Sequence, residues 1–248
     1  MKQSFGQLGL IISQFEKSQI IEEPRKLFLG SSVFVDANSR LELPFKKADE
    51  QVPVWKVLKS VIGQDLTTVS MPVFLNEPLT GLQRTAEIMI LGIDLLERAA
   101  VCQDPNRRLA LATVGIIQAY SSMKLRKRKP FNPMLGETYE LVTENYRFLA
   151  EKVQHTPMQI VAFSLEGRGY KINGFNQPQP KFKFNGGRGQ IDVGQLGTID
   201  IYFKDFDEHI SITKPTVQCR NVIWGGLYID IEQEIKAYNL KTKENISV

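Results

Sequence analysis

Cysteine, histidine and long apolar runs are scarce in this sequence, and each shortage argues against a class of protein. Its 248 residues include two cysteines, Cys102 and Cys219, and two histidines. The cysteines form no CxxC pair and show no metal-ligand spacing. No stretch approaches the roughly 18 apolar residues of a membrane-spanning helix, and no secretory signal opens the chain. We therefore expect a cytoplasmic protein, which would act on membranes, if it acts on them at all, only from the outside.

Signals for catalysis are also missing. The sequence contains neither the GxSxG motif of hydrolases nor the GxxxxGK[ST] loop of nucleotide-binding proteins. The glycine-rich stretch 186–189 lies between strand candidates, so we predict a hairpin turn there. His155 has no metal-binding or nucleophilic residue at a suitable spacing, and a lone histidine is more often structural than functional. We expect no enzyme, no metal ion and no cofactor, and an esterase is disfavoured for want of a nucleophile.

The hydrophobic period changes near residue 130, from helical before it to alternating after it. Residues 53–70 place Trp55, Leu58 and Ile62 on one helical face. Residues 79–123 predict two helices, the second beginning at Asp104-Pro105. After Gly136, ten short alternating segments predict an antiparallel meander that closes into a barrel, and the final residues KENISV predict a further strand.

Five of the six residues from Lys124 to Lys129 are basic, whereas the formal net charge of the chain is only +4. This run suits a phosphate-binding rim, a nucleic-acid patch, or a solvated helix end whose cations favour the C-terminal dipole. The nucleic-acid interpretation is weakened because the strand candidates show no regular aromatic stacking platform. We expect no nucleic-acid partner.

Lys129 differs from its basic neighbours because a rigid turn follows it. Pro130 and Pro133 restrict the backbone, and Gly136 permits a sharp bend. The turn would hold the Lys129 ammonium and the Asn132 amide in a fixed relation. That arrangement suits a phosphate monoester, which carries about 1.5 to 2 negative charges and strong acceptor oxygens.

The strings KPFNPMLGE (129–137) and EKVQHTP (151–157) resemble motifs of the lipid-binding domain of oxysterol-binding-protein-related proteins. The fingerprint of that family reads EQVSHHPP and follows a KPxNPxLGE run. Residues 70–84 and 214–230 resemble further parts of the same domain. The resemblance covers residues 53–248 and leaves 1–52 as an N-terminal extension.

The resemblance implies an α+β fold in which an antiparallel barrel (129–248) encloses a hydrophobic lipid tunnel. It implies an N-terminal lid over 53–72 and a helical layer over 79–123. The implied ligands are a sterol or a phospholipid, exchanged for phosphatidylinositol 4-phosphate between organelle membranes that the protein visits peripherally and transiently. We expect a monomer. The residues assigned to the tunnel and lid are Trp55, Leu58, Ile62 and Tyr120.

The resemblance also implies a headgroup site at the tunnel mouth. Lys129, Asn132 and His155 match the family's phosphoinositide-binding positions, and Thr156 stands where the family has a second histidine. Met158 replaces the second proline, and the chain ends before the family's basic C-terminal segment, so we expect a C-terminally incomplete domain. These departures keep an alternative open: a degenerate sterol-binding sensor or scaffold without phosphoinositide exchange.

Overall fold

The computed structural model describes residues 73–184 and 186–248. The predicted lid, with Trp55, Leu58 and Ile62, and the N-terminal extension lie outside these residues.

The helical layer contains three helices where the sequence predicted two. Their bounds are Gly81–Ile90 for α1, Ile93–Ala100 for α2 and Pro105–Tyr120 for α3. The predicted first helix breaks at Leu91 and Gly92, where the backbone passes very close to α3. A Cβ atom on Gly92 would lie 2.1 Å from the carbonyl oxygen of Gly115, so only glycine fits there. Short 3-10 turns occupy Val73–Leu75, Ser121–Leu125 and Lys204–Phe206.

The predicted start of α3 is confirmed. The Asp104 carboxylate accepts hydrogen bonds from the backbone N–H groups of Asn106, at 2.9 Å, and Arg107, at 3.4 Å. Pro105 occupies the first turn, where its missing N–H is not needed. These caps satisfy amide groups that a helix leaves unpaired at its N-terminus.

The strands form an eight-stranded antiparallel sheet, a four-stranded antiparallel sheet and a parallel pair, β1–β2. The large sheet has the order β14-β13-β10-β9-β6-β5-β4-β3 and the small one β12-β11-β8-β7. The strand bounds are β1 Asn76–Thr80, β2 Lys129–Phe131, β3 Thr138–Val142, β4 Tyr146–Gln154, β5 Ile160–Gly167, β6 Tyr170–Asn176, β7 Pro178–Lys183, β8 Gln190–Gln195, β9 Thr198–Phe203, β10 Glu208–Thr213, β11 Thr216–Arg220, β12 Tyr228–Glu232, β13 Lys236–Asn239 and β14 Asn245–Ser247.

This topology corrects the expected continuous meander. The chain leaves the large sheet after β6 to form β7 and β8, and leaves it again after β10 to form β11 and β12. Pro178 and Pro180 lie in β7 and cannot donate ladder hydrogen bonds, which suits the edge position of that strand. The predicted turn at 186–189 is confirmed, since β7 and β8 pair across it. The predicted terminal strand is confirmed as β14.

The main core lies between the helices and one face of the large sheet. Leu82, Leu96 and Ile116 from the helices are buried with Phe148 and Phe163 from the sheet. The rings of Phe148 and Phe163 stack with centroids 6.4 Å apart. The α+β class is confirmed, with the helices covering an extensive antiparallel sheet.

Candidate functional site

The segment KPFNPMLGE is fixed at its beginning by β1 and α1. Lys129 pairs with Asn76 in the parallel ladder, and the Asn76 side chain donates a 3.3 Å hydrogen bond to the carbonyl of Pro130. Pro133 is buried, and its Cδ atom lies 3.5 Å from the position that a Cβ of Gly81 would take. The first half of the segment is therefore packed against the start of the helical layer.

The end of the segment is fixed to β4. Gly136 has φ +78°, the left-handed conformation that the sequence suggested. Its N–H donates to the carbonyl of Lys152 at 2.9 Å, and the N–H of Lys152 donates to the carbonyl of Glu137 at 3.0 Å. The Glu137 carboxylate also accepts the N–H of Met134 at 2.8 Å. The segment is thus a braced loop whose far end lies on Lys152.

Lys129 and Lys152 together form a cation pair within this site. Lys129 is half-buried, and burial lowers the pKa of its ammonium. The Lys152 side chain is 1% exposed. Burial, and next the positive charge of Lys129, lower the pKa of Lys152 to about 8. The positive charge of Lys129 therefore adds to burial in disfavouring the charged form of Lys152.

A neutral partner contacts the buried member of this pair. The Lys152 Nζ atom donates to the Gln159 side-chain oxygen at 2.9 Å. Among the described residues, no carboxylate forms an ion pair with Lys129 or Lys152. The site therefore carries uncompensated positive charge.

The predicted headgroup residues lie on two neighbouring segments. His155 and Thr156 are exposed on the turn that joins β4 to β5, immediately after the strand that holds Lys152. Asn132 is exposed in the braced loop. Met158, in the same turn as His155, accepts a hydrogen bond on its sulfur from the Gln177 amide. Backbone pairing joins loop and strand, while the roles of the Asn132, His155 and Thr156 side chains stay predictions.

The basic residues before Lys129 differ in whether they form ion pairs within the protein. Arg126 forms ion pairs with Glu77, at 3.2 Å, and Glu87, at 2.8 Å. Arg84 contacts the same two carboxylates at 3.6 Å each. Arg126 is therefore a structural cation that fastens the helix-to-sheet junction, whereas Lys127 is exposed.

Tyr120 lies at the C-terminal end of α3 and belongs to the hydrophobic core. Burial raises the pKa of its phenol. The sequence left core packing and ligand contact open for this residue. The structure shows the packing, and a ligand contact stays a prediction.

Lys152 is the site residue that the sequence reasoning missed. A signal was present, because the chain reads EKV where the family fingerprint reads EQV. Hydrophobic alternation did not reveal this lysine as buried, because a charged residue is not counted among the apolar positions. In the structure, Lys152 occupies the same buried face of β4 as Phe148 and Ala150. The burial of Lys152 and its proximity to Lys129 become visible only in the folded structure.

Within residues 73–184 and 186–248, no group of three or more histidine, cysteine, aspartate or glutamate side chains is placed to hold a metal ion. Across those same stretches, none of the helices combines the length and the apolar character required to cross a membrane.

Comparison with known proteins identifies relatives of the chain. Residues 53–248 match the family model described as oxysterol-binding protein. The chain is 36% identical over 208 residues to oxysterol-binding protein-related protein 2 from Homo sapiens, an alignment that covers 82% of this chain and 42% of that protein. It is also 36% identical over 191 residues to oxysterol-binding protein-related protein 1 from Mus musculus, covering 76% of this chain and 20% of that protein.

Two solved structures are also similar to the chain. The crystal structure of the Osh1 ORD domain in complex with cholesterol matches with a TM-score of 0.71 and 33% identity, over 81% of this chain and 48% of that chain. The Osh3 ORD of Saccharomyces cerevisiae in complex with PI(4)P matches with a TM-score of 0.67 and 29% identity, over 79% and 52%. The chain spans about half the length of these structures.

Proposed function

Because this chain belongs to the oxysterol-binding protein family, we propose that it is a lipid-binding and lipid-transfer protein and not an enzyme. Its substrate would be a single lipid molecule taken from one membrane and released at another. Removing the hydrocarbon of a lipid from water gains roughly 25 cal/mol per Å² of apolar surface, which is the physical basis for carrying it inside protein. The protein would act on cytosol-facing membranes as a peripheral, monomeric carrier.

The finer proposal is exchange of a sterol or phospholipid for phosphatidylinositol 4-phosphate. Two similar structures support it: the Osh1 ORD domain is in complex with cholesterol, and the Osh3 ORD is in complex with PI(4)P. In this chain, Trp55, Leu58 and Ile62 would cover the bound hydrocarbon, and Tyr120 would contact it from the helical layer.

The observation that supports a phosphoinositide most directly is the braced loop. Its far end is hydrogen-bonded to the Lys152 backbone, and no carboxylate among the described residues forms an ion pair with Lys129 or Lys152. A phosphate monoester supplies the missing negative charge and three acceptor oxygens. Asn132, His155 and Thr156 lie on the adjoining exposed segments, from which an amide, an imidazole and a hydroxyl can donate to a headgroup.

Lipid extraction from liposomes tests this function. The full chain is mixed with liposomes containing labelled phosphatidylinositol 4-phosphate, and the label recovered in the protein fraction is measured. The variant Lys129→Ala/His155→Ala is expected to lose most of the extraction, while Lys181→Ala, on the edge strand β7, keeps it. Undiminished extraction by the double variant would reject the assigned headgroup site.

A sterol carrier or sensor without phosphoinositide exchange is the second candidate. Thr156 supports it, since a neutral hydroxyl replaces an imidazole that contributes a charge-assisted hydrogen bond when protonated. This candidate predicts that labelled sterol binds and is not displaced by phosphatidylinositol 4-phosphate. Competition between the two lipids would favour exchange instead.

A further inference from the structure

The position of Lys152 is unusual for a lysine. It occupies the face of β4 that also carries Phe148 and Ala150, both in the hydrophobic core, and is 1% exposed. Lysine side chains ordinarily bury their carbon stem and keep the ammonium in water. Here the ammonium is held inside as well, by the hydrogen bond to Gln159.

The charge around Lys152 is not balanced by the described residues. Gln159 is neutral, and no described carboxylate forms an ion pair with the Lys152 ammonium. The segment that begins at Lys129 is hydrogen-bonded to the Lys152 backbone through Gly136 and Glu137, and Lys129 adds a second positive charge to the site. A buried ammonium without a counter-charge is costly, and two neighbouring ones are more so. The arrangement becomes favourable when a bound anion compensates the buried positive charge.

The donors of the pair match one class of anion. An ammonium carries three N–H donors, and the described residues accept one of them from Lys152. A phosphate monoester brings up to two negative charges and three terminal oxygens, so it neutralises both lysines. A phosphodiester brings one charge and would leave one lysine uncompensated.

From this geometry we propose that Lys152 and Lys129 jointly bind a phosphate monoester, with Lys152 as the residue that selects the dianion. The inference rests on the proposed lipid-binding function for the identity of the ligand as a phosphorylated lipid headgroup, although free phosphate has the same chemistry. In the family fingerprint, the position of Lys152 is a neutral glutamine and the position of Thr156 is a histidine. Lys152 would therefore supply a cation in a chain whose Thr156 cannot.

The experiment compares the full wild-type chain with Lys152→Gln, which introduces the family residue, and with Lys181→Gln, which removes one exposed charge on β7. Liposomes contain either phosphatidylinositol 4-phosphate or phosphatidylinositol, which lacks a monoester, and a third set contains labelled sterol. Circular dichroism verifies that each variant is folded. Calorimetric titration with inorganic phosphate measures the anion site without lipid.

Lys152→Gln is expected to weaken phosphatidylinositol 4-phosphate binding about 10- to 100-fold, the range of one charge-assisted hydrogen bond. Sterol binding is expected to stay unchanged, as is every activity of Lys181→Gln. Equal binding of phosphatidylinositol 4-phosphate by the wild type and Lys152→Gln would overturn the inference and leave the lipid function standing. Wild-type binding of inorganic phosphate, lost in Lys152→Gln, together with no extraction of any lipid would support the anion site and reject the lipid function.

Discussion

Two of the buried cations, Arg108 and Lys152, differ in what surrounds them. Arg108, on α3, donates from Nε to the Glu208 carboxylate of β10 at 2.9 Å, and a second guanidinium N–H donates to the same carboxylate. The guanidinium also donates to the carbonyl of Cys102 and lies over the ring of Phe206, whose centroid is 3.7 Å from the guanidinium carbon. Lys152, on β4, contacts a neutral amide, and the positive charge of Lys129 adds to burial in lowering its pKa.

The difference separates a structural charge from a binding charge. Asn239 completes the first site by donating to the second oxygen of Glu208, so both ions are neutralised and hydrogen-bonded within the protein. The Lys129–Lys152 site lacks that internal completion among the described residues. A buried charge that the fold satisfies holds the fold together, whereas one that the fold leaves unsatisfied is better explained by a ligand.

The largest effect is expected at the balanced site. Arg108→Met leaves Glu208 buried without its cation, which should lower the free energy of unfolding by about 3 to 5 kcal/mol. Urea denaturation followed by circular dichroism measures the loss. The double variant Arg108→Met/Glu208→Leu removes both charges and should cost less than the single variant. A single variant as stable as the wild type would show that this pair does not differ from surface pairs such as Lys204–Glu166.

The unbalanced site should respond with the opposite sign. Lys152→Met keeps the length of the stem and removes a charge that the ligand-free fold does not compensate. We expect it to raise the free energy of unfolding of the ligand-free protein by about 1 to 3 kcal/mol at pH 7. The same denaturation experiment measures it, with Lys181→Met as the exposed control. Destabilisation by Lys152→Met would place Lys152 among the structural charges.

Alkaline pH should reduce the difference between the wild type and Lys152→Met. The pKa of Lys152 is lowered from 10.5 to about 8, so between these values the native state has released a proton that the unfolded chain keeps. The stability contribution of this group therefore rises with pH across that interval. The variant lacks the rise, and the gap should close by roughly 2 kcal/mol between pH 7 and pH 10.

Lys214 titrates in the same pH range, because burial lowers its pKa to about 8 as well. It donates to the carbonyl of Leu196 at 3.2 Å and is present in both proteins, so its titration cancels in the difference. A gap that stays constant with pH would contradict the assignment of Lys152 as the buried, uncompensated group.

Sequence patterns predicted the parts of the fold that depend on nearby residues. The Asp104-Pro105 start of α3 follows from capping chemistry within four positions, and the turn at 186–189 follows from its glycines. The break at Gly92 was missed because its cause is the backbone at Gly115, on another helix. Strand β8 was missed because the side chains it buries include Gln190 and Asp192, which hydrophobic alternation does not detect.

The candidate site likewise has a part that nearby residues determine and a part that depends on the assembled fold. The braced loop was predicted because prolines and Gly136 act locally, and family resemblance supplied Lys129, Asn132, His155 and Thr156. The cation pair was not predicted, because it depends on backbone bonds between residues 136–137 and Lys152, across the turn from β3 to β4. Charge balance is a property of the assembled fold and has no signature in a single strand.

The smallest predicted effect concerns Thr156, and it sharpens the contrast between local and assembled features. Thr156→His restores the family's second histidine on an exposed turn, where it can donate to a headgroup without disturbing the core. We expect phosphatidylinositol 4-phosphate binding to strengthen by up to about tenfold near pH 6, where imidazole is largely protonated, and less at pH 8. Titration with labelled liposomes at both pH values measures the change, and sterol binding serves as the control. If binding strengthens in wild-type background but not after Lys152→Gln, the exposed turn depends on the buried lysine, and the two segments form one headgroup site.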